Sequence, residues 1–315
     1  MATKANHHYI PQFYLRGFSA GVGRQAQLFV FDAETKKSFT TLVRNIGSKR
    51  HFNRIEAQGV GPNHLEDGMA EIEAEIAPHL QQVIEAKAFP SPEHFNSIMN
   101  LMALLSVRNP RLRGNMSDFH KNVLNKMMSM SLSSKEIWES QTKQMRDSGV
   151  PIKDGVTYED MKRFLKEKNY EIVIDQTHLI GLELTMVEPV LEQLSHRSWC
   201  FAITPKDHQF ITCDDPTVLS WNEQVKQSNF YSPGHGLQNT IVLLTLSPEL
   251  ALIGLFEKQP ERSNYSPDQV TALNTAVARH SRNQIYAGDG NFLLHLKQRS
   301  NIRGSDLDRV FLGRT

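Results

Sequence analysis

The feature that most constrains the fold of this 315-residue chain is a change of apolar period near Trp199. Before it, between about residues 64 and 195, apolar side chains recur at helical spacing; after it, they gather into short runs bounded by Pro, Gly and Asp. A 3.6-residue period makes a helix face and a two-residue period makes a sheet face, so one cannot stand in for the other. Leu65, Met69, Ile72, Ile76, Leu80, Val83 and Ile84 predict a long amphipathic helix with glutamates on its other side. Ser91-Pro92-Glu93 opens a second helix in the manner of an N-cap followed by an N1 proline. That helix carries Phe95, Ile98, Met99, Met102 and Leu105 toward Arg108, and Pro110 is expected to end it. A methionine-rich helix follows at 116–130, with Met127, Met128 and Met130 read as adaptable core filler. The polar stretch 133–168 predicts two exposed helices joined at a turn, and Gln176 to Leu194 a further helix that Pro189 kinks or breaks.

The second half reads as strands at 199–203, 210–213, 218–221, 241–246 and 251–256, then a helix at 267–282, a strand at 284–287 and a last helix at 291–299. Near the N-terminus, 28–31 and 38–46 form a hairpin across the polar turn Asp32 to Lys37. With no internal repeat and no break in composition, the preferred architecture is a single α+β domain spanning 1–315, its mostly antiparallel sheet built from both chain ends with the helical middle packed against it. Within it, 64–195 is a candidate helical subdomain and 133–168 an insertion, lid or dimerisation element.

No stretch approaches the roughly 18 to 20 apolar residues of a spanning helix, and the N-terminus lacks the apolar core of a secretory signal, so a cytoplasmic location without membrane association is expected. The two cysteines, Cys200 and Cys213, have no Cys-x-x-Cys spacing and read as buried thiols. A net charge of +1 gives no global attraction to nucleic acid, so such binding needs a local basic patch. Two clusters qualify: Arg108, Arg111 and Arg113, and the C-terminal Lys297, Arg299, Arg303, Arg309 and Arg314.

Chemistry concentrates at four places. In His7-His8-Tyr9-Ile10-Pro11-Gln12-Phe13-Tyr14-Leu15-Arg16, imidazoles, an amide and a cation lie among aromatic faces, which is costly content for a segment that usually frays. In Phe210-Ile-Thr-Cys-Asp214-Asp215-Pro216 a strand runs into paired carboxylates; one can face a cleft while the other caps the Pro216 turn, or both can serve the turn. The Arg108–Arg113 segment suits phosphate, whose oxygens guanidinium forks bind bidentately, and equally suits a helix C-terminus. Glu66 and Glu73, seven residues apart, share a helix face beside the apolar stripe, either solvated or lining a site. The signatures of P-loops, dinucleotide-binding turns, zinc proteases and serine elbows are missing, and no cofactor or metal is expected.

The opening run His7–Phe18 resembles the start of bacterial proteins of the domain-of-unknown-function 4238 family. The similarity continues through Lys49-Arg50-His51-Phe52-Asn53, Leu65-Glu66, Arg108-Asn109-Pro110, Trp199 and Phe210–Pro216, where Cys213 replaces the usual serine. The resemblance implies a component of anti-phage defence and, for some such proteins, a DNA glycosylase that removes glucosylated hydroxymethylcytosine from phage DNA. In that reading Asp214, His8 and Glu66 are the catalytic candidates. His7, Tyr9, Gln12, Tyr14 and Asp215 would hold the base or its sugar, and Arg16, Lys49, Arg50, Arg108, Arg111 and Arg113 the phosphates. Two rivals stand beside it: a metal-dependent nuclease with His7 or His8, Asp214 and Glu66 around Mg²⁺ or Mn²⁺, and a non-enzymatic sensor of a phage component.

Overall fold

A computed structural model describes residues 5–153, 155–222, 232–295 and 301–312. The chain divides into two compact units, Met1–Arg111 with Ile180–Thr315, and Leu112–Leu179. In chain order the elements are β1 Asn6–His8, α1 Gln12–Arg16, β2 Gln27–Asp32, β3 Lys37–Leu42, β4 Ser48–Arg50, α2 His64–Ala86 and α3 Pro92–Val107. Then come α4 Pro110–Ser131, α5 Lys135–Asp147, α6 Tyr158–Glu167, α7 Gln176–Thr185 and α8 Val187–Ser195. The remainder is β5 Ser198–Ile203, β6 Thr212–Cys213, β7 Val218–Trp221, β8 Thr240–Ser247, β9 Leu250–Leu255, β10 Arg262–Asn264, α9 Pro267–His280, β11 Gln284–Ala287, β12 Leu293–His295, β13 Asn301–Arg303 and α10 Leu307–Leu312.

The architecture of the larger unit is α+β. Five strands lie in the order β10-β5-β9-β8-β7 and four in the order β3-β2-β11-β6, while β1 pairs with β4 and β12 with β13. Every pairing among the described strands is antiparallel except β10 with β5. The four-stranded sheet therefore draws on both ends of the sequence, with β11 inserted between β2 and β6. One core sets α2 and α3 (Val83, Met102, Leu105) and the N-terminal Ile10, Tyr14 and Phe18 against Phe201, Leu244 and Leu252 of the larger sheet. A second gathers Phe210, Val270, Val277 and Phe292 around α9. Each such side chain contributes roughly 1.5–3 kcal/mol on burial. Helix α9 starts with a capping box between Ser266 and Gln269 and has Pro267 in its first turn, so its start is fixed locally.

The smaller unit is helical, built from α5, α6, most of α4 and the first turn of α7. Its buried residues, Arg113, Leu132, Thr142 and Leu179, are few for its length. Met127, Met130 and Phe119 are exposed, which corrects the reading of Met127 and Met130 as core filler. Among the described residues no helix is long and apolar enough to cross a membrane.

Other details differ from expectation. The second helix, α3, does stop at Val107, just before Pro110, but Pro110 also opens α4, earlier than the helix expected from Met116, because a proline at N1 lacks only an N–H the helix does not use. The helix expected over 176–194 is two, with the break at Met186, three residues before Pro189. Leu293–His295 is a strand, not part of a last helix; it pairs with β13, and the rest of that expected helix, 296–299, lies outside the described residues. The short elements β1, β4, α1, β10, β13 and α10 carry too few residues to show a period.

Candidate functional site

The ends of three neighbouring strands build one cleft. Register pairs Gln284 of β11 with Asp32 at the end of β2, and Ile285 with Cys213 of β6, so Asp32, Asp214 and Gln284 emerge at the same sheet edge. The opposite rim comes from β3, β4 and the turn between them, through Phe39, Thr41, Asn45 and Lys49, and Tyr9 enters from the N-terminal segment. A hydrogen bond from the Tyr9 backbone N–H to the Gly47 carbonyl, 2.9 Å, fixes that segment to the rim. The cleft has a volume of about 450 Å³, and Arg111 and Arg282 complete its polar lining.

Asp214 is held by the backbone. Its Oδ1 accepts the N–H of Arg282 at 2.8 Å, and its Oδ2 accepts those of Asn283 and Gln284 at 2.8 and 3.1 Å. Burial pushes its carboxyl above the usual range against the pull of these N–H donors. Asp215 is nearly fully buried and forms an ion pair with Arg111, and Nε2 of His280 lies 3.3 Å from its Oδ2. Arg111 also donates to the His280 carbonyl at 2.9 Å and lies 2.6 Å from its Nε2, so one guanidinium ties α9 to the aspartate pair. Cys213 donates its thiol to the Asp215 carbonyl at 3.0 Å.

A polarised chain of hydrogen bonds runs along the cleft floor. Asp32 accepts from Thr35 and, at 2.6 Å, from Nε2 of Gln284. Burial opposes its ionisation, but these donors outweigh that and hold its carboxyl below the ordinary range. Because a carboxylate only accepts, Gln284 must turn its oxygen to Tyr286, whose hydroxyl donates to it at 2.9 Å. The Tyr286 hydroxyl is thereby committed as a donor, and it is hydrogen-bonded in turn with Tyr9. Burial raises the Tyr9 phenol well above its ordinary value, so Tyr9 stays neutral. Glu34 differs from the other acids: it lies exposed on the cleft, with one long contact of 3.5 Å from the Asn283 amide.

The remaining candidates from the opening run do not line this cleft. His7 is fully buried, and its Nδ1 accepts the Asn53 backbone N–H at 2.9 Å. The Asn53 amide donates to Glu66 at 2.6 Å, and Arg108 donates to its oxygen at 3.4 Å. His7, Asn53, Glu66 and Arg108 thus form an internal polar cluster that ties the β1–β4 ladder to α2 and α3. Glu73, two turns further along the same face of α2, is pushed up to about 7 by burial, partly offset by Arg108. His8 is lowered by burial, its ring bonds to the Arg44 carbonyl, and its Nε2 has no hydrogen-bond partner among the described residues. Tyr14 is fully buried, with its hydroxyl bonded to Thr212 at 2.7 Å and to the Thr245 carbonyl at 2.8 Å, which corrects its reading as a substrate contact. Gln12 and Arg16 bond to one another at 3.1 Å on the exposed turn of α1.

The arginine segment also splits. Arg111 reaches the cleft, while Arg108 and Arg113 are buried, so neither is open to phosphate as the sequence reading had it. Lys49 and Arg50 are exposed, Arg303 is exposed, and Arg309 lies 3.6 Å from Asp306. Lys297, Arg299 and Arg314 lie outside the described residues. Among the described residues no three or more His, Cys, Asp and Glu side chains are grouped to hold a metal ion, so His7 or His8, Glu66 and Asp214 do not form the ligand set of the nuclease reading. Sequence reasoning missed Glu34, His280 and the Arg282–Gln284 segment. Their only local sign was the polar cluster His280-Ser-Arg-Asn-Gln between a helix and a strand.

No curated protein and no solved structure matches the chain. A family model described as "Protein of unknown function (DUF4238)" matches residues 6–291, a span that runs from β1 through the whole of the cleft. The chain belongs to the DUF4238 family.

Proposed function

We propose that the cleft receives one nucleotide turned out of a DNA strand and that the protein hydrolyses its N-glycosidic bond, with a modified cytosine, glucosylated at a hydroxymethyl group, as the base released. The observation that carries this reading is the meeting of Tyr9 with Asp32, Glu34, Asp214 and Asp215 in a single cleft of about 450 Å³. That size lies within the ~300–1,000 Å³ of ligand sites. Hydrolysis of this kind needs a group that activates water, negative charge near a sugar that becomes cationic, and a surface for the base. Glu34 is the acid with free capacity and takes the first role. Asp214 and Asp215, fixed by backbone N–H groups and by Arg111, supply the second without moving. Tyr9 offers a ring face for the base, and Lys49 and Arg282 are cations on the cleft wall for the flanking phosphates. His8 and Glu66, the other catalytic candidates, belong in this scheme to the support of the N-terminal wall.

The test is mass spectrometry of what the protein releases from DNA carrying glucosylated hydroxymethylcytosine and from unmodified DNA, with and without EDTA. Free modified base, alkali-labile abasic sites and insensitivity to EDTA are expected. Release of nucleotides, direct strand breaks, or an unchanged substrate would overturn the reading.

A further inference from the structure

The rim of the cleft continues outward from Lys49 as a charged face that extends beyond the groups assigned to base hydrolysis. From Lys36 to Arg54 the chain carries Lys36, Lys37, Arg44, Lys49, Arg50 and Arg54 and no Asp or Glu. Arg54 pairs with Glu56 at 3.3 Å, but none of the other five meets a carboxylate at salt-bridge distance among the described residues, and all five are exposed. A run of like charge is often just a solvated surface, and two further observations distinguish this one. The first is direction. On β3 the residues Lys37, Phe39 and Thr41 alternate with Ser38, which faces the other way and bonds Asp308 at 2.5 Å. Phe39 and Thr41 line the cleft, so Lys37 stands on the cleft side too, and Lys49 and Ser48 of β4 prolong the same rim. The second is Phe39 itself, 41% exposed in the middle of the cations, where a solvated face would carry a polar residue. His51, beside this face, is held low by desolvation and then by the neighbouring Arg50 and Arg54, as expected in a positive local field.

We infer that the 36–54 face is the track for a single-stranded nucleic acid: its phosphates run along Lys37, Arg44, Lys49 and Arg50, and one unpaired base stacks on Phe39 just before the strand reaches the cleft. Aromatic rings interleaved with cations bind single strands in this way, because every base has a ring face and every linkage a charge. An exposed ring suits an unpaired base and not the stacked interior of a duplex. The inference deepens the proposed function, since the strand that delivers a nucleotide to the cleft would lie on this rim.

The experiment is fluorescence anisotropy of a labelled, unmodified 15-nucleotide strand with the full chain, as a function of salt. Three variants are compared with the parent: K37A/R44A/K49A/R50A, F39A and F39Y, each first checked by thermal melting. The quadruple variant should bind at least tenfold more weakly at low salt, and its log–log salt dependence should flatten by about 0.7 for each phosphate it no longer neutralises. F39A should weaken binding about 5- to 150-fold with the slope kept, in line with ~1–3 kcal/mol per stacked base, and F39Y should bind like the parent. A strand affinity that neither change alters, or a duplex of the same sequence bound more tightly than the strand, overturns the inference. So does adsorption of the protein to phosphatidylserine vesicles with no affinity for the strand, which would make the face a membrane-contacting surface. Because the probe is unmodified and nothing is cleaved, binding can succeed where base release fails, and the two proposals are judged separately.

Discussion

A carboxylate that already accepts three backbone N–H groups has little capacity left for a substrate, and this separates the acids of the cleft by role. Asp214→Asn replaces an acceptor with an amide that can satisfy only part of the Arg282–Gln284 backbone, leaving buried donors unpaired. It should destabilise the protein by ~1–3 kcal/mol, seen as a lower urea midpoint. Glu34→Gln should leave that midpoint unchanged and lower base release by about 10²-fold or more, the range of a missing general base; an equal drop in stability in both variants would refute the division. Glu73 gives a pH signature. Its folded-state pKa of about 7 lies above the ordinary value of 4.5, so the folded state favours the proton. Stability is therefore fully present below pH 4.5 and is lost as pH rises toward 7, by up to ~3 kcal/mol at ~1.4 kcal/mol per unit. Glu73→Gln should flatten the profile of unfolding free energy between pH 4.5 and 7.5, and a profile identical to the parent's would show that Glu73 does not titrate there. At this scale the sequence made Tyr9 and Asp214-Asp215 legible, because aromatic–polar interleaving and a strand running into acids are local patterns. Glu34 and Gln284 were not legible, since what makes them neighbours is the pairing of strands some 250 positions apart.

Elements make their own demands, and the sharpest is in the five-stranded sheet. Trp199 of β5 lies directly across from Gly254 of β9, and a Cβ at Gly254 would sit 2.6 Å from the indole ring. The ring has no room to yield, because Trp199 is buried and its N–H is tied to the Leu194 carbonyl at 3.1 Å. Gly254→Ala should therefore cost ~1–3 kcal/mol, measured by denaturant unfolding, although alanine is the smallest possible addition. The long helices α2, α3 and α9 were readable because each spans several turns of one period. Strands β5, β7, β8 and β9 were readable as apolar runs. Position 293–295 failed because its partner, β13, lies on the far side of a polar segment, and a three-residue strand shows no period of its own.

On the scale of the molecule, the two units differ in how much they bury. The 112–179 unit buries Arg113, Leu132, Thr142 and Leu179, whereas the larger unit holds both apolar cores. Local opening free energy follows buried apolar contact, so native-state hydrogen exchange should find the amides of α5 and α6 opening at a clearly lower free energy than those of β8 and β9. Equal protection in both would contradict the difference in burial. The composition of 112–179 hinted at this, through its polar 133–168 stretch, but not at where the unit begins. The interleaving of chain ends has a further consequence, in time rather than in space. Tyr9 and Lys49 leave the ribosome early, Asp214 late and Gln284 later still, and β11 must insert between β2 and β6 before the cleft has a floor. A nascent chain consequently carries its basic rim long before the cleft is complete.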